Sequence, residues 1–188
     1  MRDRTEAADR RLVLTVATDE YRCASLAFSH DGTLLAIGKS NGLVGIWDLN
    51  TGRVIKHFLH DLRGDPVTAV AFSLDDSLLA SGGEDGHLKI RDMHTTKLVL
   101  RRQHPAPIRA IAFDRAGELV ATACDDGALR VWTRRGRIRS QMDGGCTPAT
   151  RGITMTADGR VDTAEEPPTG ALSAELTPDE LRVYRSSG

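Results

Sequence analysis

The chain has 188 residues, with 25 Lys plus Arg against 26 Asp plus Glu and a formal net charge of -1 at pH 7, so it carries no overall field to hold a nucleic acid or an anionic membrane. The charged opening MRDRTEAADRR contains no apolar run of signal-peptide length, and the later apolar stretches are too short to span a bilayer. Cys23, Cys124 and Cys146 are odd in number, widely spaced and without a Cys-x-x-Cys pair, which argues against a disulfide framework or a zinc site.

A soluble cytoplasmic protein is therefore expected, and the excess of arginine over lysine suggests a GC-rich, bacterial genome. In chain order, residues 1–10 form a charged tail and RLVLTV, residues 11–16, reads as a strand. Then LAFSHDGTLLAIGKSNGLVGIWDLNTGRVI is matched by VAFSLDDSLLASGGEDGHLKIRDMHTTKLV and again by IAFDRAGELVATACDDGALRVWTRRGRI. Phe28, Phe72 and Phe113 set the register at spacings of 44 and 41 residues, a period that marks a repeat architecture. Within each copy, short β-forming segments are separated by Asp-Gly, Asn-Gly or Thr-Gly turn signals, which predicts four-stranded meanders rather than helices.

Repeat one covers about residues 22–58, repeat two 67–102 and repeat three 108–142. A degenerate fourth repeat covers 151–188, with Met155 at the phenylalanine position, Tyr184 at the tryptophan position and an insertion at 165–179. Within that insertion LTPDEL has the composition of a short helix start, with Thr177 as cap and Pro178 first. The basic run RRGRIR, residues 134–139, reads as a charged outer strand protecting a sheet edge. Ala, Val, Leu and Ile on both faces of these strands mean that every sheet is packed on both sides, which is the geometry of a β-propeller.

With AFSHDG, LLASGGEDG and GIWDL in place, the chain resembles the WD-repeat propellers from about residue 12 onward. The resemblance implies an all-β fold of about four blades, an open half-propeller as a single chain, with residues 11–16 as the outer strand missing from the last copy. Four blades fall short of the family's usual ring. The expected remedies are a longer gene of which this is a piece, a head-to-tail homodimer completing an eight-bladed ring, or a strained closed ring of four.

The resemblance also implies a structural tetrad in which indole, hydroxyl, imidazole and carboxylate are joined: Trp132, Thr122, His104 and Asp126 in copy three. Such a buried network has to be satisfied throughout. Copy two offers His60, Ser81 and Asp85 but places Arg91 where the indole belongs, so its guanidinium needs an acceptor, expected in Asp85 or Glu84. Copy one keeps Trp47 but has Ile37 and Asn41 at the hydroxyl and carboxylate positions. A staple worth roughly 1 kcal/mol per hydrogen bond can be lost piecemeal, whereas catalytic groups cannot; no catalytic residue is expected. His57, His60 and Asp61 lack a fourth ligand, so no metal is expected, and no Gly-rich loop opens a helix, so no nucleotide or other cofactor is expected.

Loop length locates the binding face. HDLRGDP (60–66), DGGCTPATR (143–151) and the fourth-copy insertion all fall on the face that, in a propeller, carries the second-to-third-strand turns. Loops there vary without disturbing the sheets. The expected contact residues are Tyr21, Arg22, Lys39, Ser40, Arg63, Asp65, Glu84, Pro105 and Asp125, with a protein or peptide as partner; Ser40, Glu84 and Asp125 match positions the family uses for contact. The function expected is a protein–protein interaction scaffold. The alternative is a sensor or regulatory repeat of a larger bacterial signalling NTPase or kinase.

Overall fold

The computed structural model describes residues 10–17, 22–144, 152–155, 161–164, 172–176 and 180–186. All regular structure among them is strand. An N-terminal strand, β1 (Arg10–Ala17), precedes three antiparallel four-stranded sheets: β2 (Cys23–Phe28), β3 (Leu34–Lys39), β4 (Leu43–Asp48) and β5 (Arg53–Leu59); then β6 (Ala69–Phe72), β7 (Leu78–Gly82), β8 (His87–Asp92) and β9 (Leu98–Gln103); then β10 (Ile108–Phe113), β11 (Leu119–Cys124), β12 (Leu129–Thr133) and β13 (Ile138–Met142).

The repeated Phe-Ser-x-Asp stretch makes the first turn of the first two sheets. Ser29 Oγ donates to Asp31 Oδ1 at 2.7 Å and accepts the Leu34 amide at 2.8 Å; Ser73, Asp75 and Leu78 repeat this at 2.6 and 2.9 Å. In the third sheet Asp114 replaces the serine and takes the Leu119 amide itself at 2.9 Å. These side chains stand in for backbone partners at the point where the chain reverses.

Alternation then divides each strand between two neighbours. Ala36, Val44, Ile46 and Phe58 of the first sheet pack on Val70, Phe72, Leu79 and Met93 of the second. The opposite face of the second sheet, with Leu78, Ala80, Leu88 and Ile90, packs on Ile108, Ile111, Val120 and Trp132 of the third. Leu88 and Ile108 are fully buried, and each such side chain contributes about 1.5–3 kcal/mol relative to exposure. The inner strands stand in a row, β2 against β6 and β6 against β10. Ser25 Oγ donates to Val67 O at 2.7 Å along that row. The sheets form an open row rather than a closed ring.

The fourth copy differs from the single blade expected. Among the described residues, strand β14 (Gly152–Met155) pairs with β15 (Val161–Ala164) alone, and Ile153 joins Ala110, Ala121 and Val131 on the far face of the third sheet. Strands β16 (Leu172–Leu176), β17 (Glu180–Ser186) and β1 form a separate sheet in the order β1-β17-β16. Residues 172–176 and 180–186 are strands where LTPDEL was expected to start a helix; Thr177 and Pro178 lie outside the described residues. LSAEL alternates and finds an antiparallel partner in β17 three residues on, while one helical turn would fix several residues for a single hydrogen bond. The outer strand expected at 11–16 is β1, paired antiparallel with β17 of its own chain, with Leu12 opposite Tyr184.

Gly45 and Trp47 share one face of β4, and a Cβ on Gly45 would lie 2.3 Å from the indole of Trp47. Gly45→Ala is expected to lower unfolding free energy by about 1–3 kcal/mol through overpacking, measured as a shift of the urea midpoint at unchanged slope.

Candidate functional site

The turn before each third strand prepares the place where the polar residues meet. Gly42 and Gly86 have φ of 79° and 71°, and a Cβ there would strike Asp61 O at 2.9 Å and His104 O at 2.8 Å. Only glycine lets the interblade segment lie this close. Its carbonyl then receives a histidine amide: His60 N donates to Gly42 O and His104 N to Gly86 O, both at 2.8 Å.

In the third sheet His104 Nε2 lies 2.9 Å from Thr122 Oγ1, and Trp132 Nε1 donates to the same hydroxyl at 3.2 Å. The imidazole and indole meet edge to face, 5.0 Å between centroids. Asp126, the fourth member expected, is not joined to His104. Arg130 takes it with two hydrogen bonds, at 2.6 and 3.2 Å, and holds its carboxyl below the usual carboxylate range. A guanidinium four residues away matches a carboxylate in bidentate fashion, which an imidazole cannot. Among the described residues, His104 Nδ1 is buried with no hydrogen-bond partner. Burial, followed by the nearby Arg130 charge, pushes the His104 pKa down to about 4.

The second sheet joins three of the four tetrad positions, without an indole. His60 Nδ1 lies 2.8 Å from Ser81 Oγ and its Nε2 lies 3.3 Å from Asp85 Oδ1. Asp85 Oδ2 lies 3.0 Å from His87 Nδ1, and Arg101 reaches His87 Nε2 at 2.7 Å. Burial alone would raise the Asp85 pKa, but the His60 contact and the His87 amide hold it far below the usual range. The order serine, histidine, aspartate has the connectivity of a hydrolytic triad, yet Ser81 and His60 are 5% and 2% exposed.

Arg91 pairs with neither Asp85 nor Glu84, the acceptors expected for it. It stands at the far end of β8, about 20 Å of strand from Asp85. Its guanidinium lies over the Phe58 ring at 5.3 Å and donates to Leu59 O at 3.2 Å. Trp47 in the first sheet is buried with Leu35 and Ile37, and Lys39 Nζ sits 5.7 Å above its ring.

Backbone hydrogen bonds gather the expected contact residues on one edge. Ser40 N donates to Arg22 O, Val67 N to Lys39 O, Glu84 N to Pro66 O and Asp125 N to Pro107 O, at 2.9 to 3.1 Å. Asp61 orders the long loop by accepting the amides of Arg63 and Asp65. Arg22, Arg63 and Pro105 are exposed; Tyr21 lies outside the described residues. Glu84 and Asp125 are not independent: Arg109 donates to both, from Nη1 to Glu84 and from Nε to Asp125 at 2.7 Å. Arg109 was missed in the sequence because it sits inside β10, at the position held by Thr68 in the second copy. His57, His60 and Asp61 do not converge: His57 is exposed on β5 while His60 turns into the second sheet.

Two outcomes follow. Thr122→Val leaves two buried ring nitrogens without their shared oxygen and is expected to remove about 1–3 kcal/mol, read by urea unfolding. His104 has a folded pKa below its unfolded value of about 6.5, so the unfolded chain binds more protons between pH 6.5 and 4. The corresponding stability is present above that window and lost as pH falls through it, by about 3 kcal/mol; His104→Gln is expected to flatten this part of the pH–stability curve.

No curated protein matches the chain. Residues 12–159 match a family model described as "Nucleolar protein 10-like, N-terminal domain", a β-propeller. That match spans most of the sequence, including all three four-stranded sheets and β14, and the chain belongs to this β-propeller family.

Proposed function

We propose that this chain is a non-catalytic interaction module that binds a protein or peptide along the edge formed by residues 39–42, 60–66, 83–86, 104–107 and 125. The observation that carries this reading is the preordering of that edge. Loops from three sheets are tied to one another through backbone hydrogen bonds, and they present Arg63, Asp65 and the Glu84–Arg109–Asp125 bridge at fixed positions. Side chains already held in place lose little entropy when a partner docks. The burial of Ser81 and His60 between sheets supports a structural role for the triad-like set, since a nucleophile has to reach its substrate.

Partners captured on the immobilised protein and identified by mass spectrometry are expected to be lost when Arg63, Glu84 and Asp125 are changed together to alanine. They should persist when Asp31, Asp75 and Arg134 on the opposite edge are changed. The reverse pattern would overturn the assignment.

A further inference from the structure

A second surface lies away from this edge, at the outer rim between the first two sheets. A cleft of about 360 Å³ there is lined by Lys56, His57, Phe58, Leu59, Arg91 and Thr96. Two departures from the repeat meet in it. Arg91 takes the position held by Trp47 and Trp132 in the other copies. Thr96, with φ of 63°, takes the left-handed turn position held by Gly52 and Gly136. A threonine in that conformation is strained, and strain of this kind persists where the surroundings impose it, often at binding sites.

The charges in the cleft are of one sign. Arg91 is partly buried, and among the described residues no carboxylate pairs with it; its acceptors are the carbonyls of Leu59 and, at 3.5 Å, Thr96. These occupy two of five guanidinium donors. Lys56 Nζ donates to Met93 O and brings a second cation to the same wall. His57 is a third group able to donate. A carboxylate offers two oxygens and one charge; a phosphoryl group offers three oxygens and nearly two charges, and matches this number of donors better. The volume exceeds one such group, and Leu59, 44% exposed beside it, suits the apolar stem and flanking residues of a peptide.

We propose that this cleft is a subsite for the phosphoryl group of a phosphorylated side chain on a protein partner. It is independent of the loop-rich edge, and either could fail alone. The test uses the full chain and its amide NMR spectrum at constant ionic strength. The probes are a phosphoserine peptide, the same peptide with Ser and with Glu, inorganic phosphate, and a single-stranded oligonucleotide. Saturable shifts at Lys56, His57, Leu59 and Thr96 are expected with the phosphoserine peptide, with inorganic phosphate weaker at the same residues and the Ser and Glu peptides weakest.

Arg91→Trp restores the residue type of the other copies. It is expected to keep the spectrum of a folded protein while weakening phosphopeptide binding about tenfold or more; Lys56→Gln, a surface change, should weaken it as well. The proposal is overturned if Arg91→Trp binds as well as the parent. It is equally overturned if the Glu peptide equals the phosphopeptide, if inorganic phosphate binds as tightly as the peptide, or if the oligonucleotide binds more tightly than either.

Discussion

His60 and His104 each belong to two sheets at once, and the open row depends on that double membership. The amide of His60 is fixed to the Gly42 carbonyl of the first sheet while its ring reaches Ser81 of the second; the amide of His104 is fixed to Gly86 of the second while its ring reaches Thr122 of the third. Hydrophobic burial between sheets has no direction of its own and would tolerate sliding or rotation. A hydrogen-bonded ring anchored at both ends tolerates neither, because a displaced sheet strands a buried donor. The glycines and the imidazoles are thus parts of one device.

The two copies of that device are satisfied differently, and the difference traces to a single neighbour. In the third sheet Arg130 claims Asp126, so His104 keeps one nitrogen bare. In the second sheet residue 89 is a lysine that makes no such claim, and Asp85 stays on His60. The network with the right tryptophan therefore lacks its carboxylate, and the network with its carboxylate lacks the tryptophan. Neither defect unravels the packing, because Leu88, Ile90 and Ile108 remain fully buried around both.

The three central sheets were legible because their turns are written in residues whose chemistry is local: Ser-x-Asp at the first turn, Asn-Gly or Asp-Gly before the third strand. Their histidines were placed by the resemblance to propeller repeats, not by local turn chemistry. Arg91, Arg109 and Arg130 were not legible in this way. A long cation selects its partner across strands and sheets, and spacing along one strand does not say whether Asp85, Leu59 O or Glu84 will be nearest. The fourth copy misled for a related reason. LTPDEL carries the local marks of a helix start, but the strand pairing available to Leu172–Leu176 and Glu180–Ser186 is set by what lies beside them.

The pairing of β1 with β17 also bears on how the fold is reached. Strand β1 has no sheet to join until residues 180–186 exist, so it is paired only after the three central sheets have been synthesised. Bringing these two strands together carries a chain-closure entropy of roughly 4 to 5 kcal/mol, a price much reduced once the three four-stranded sheets between them have collapsed the intervening chain. The contact of longest range is thus a late event in folding rather than its nucleus. Until it forms, β1 and β17 are open strand edges able to pair with those of another molecule.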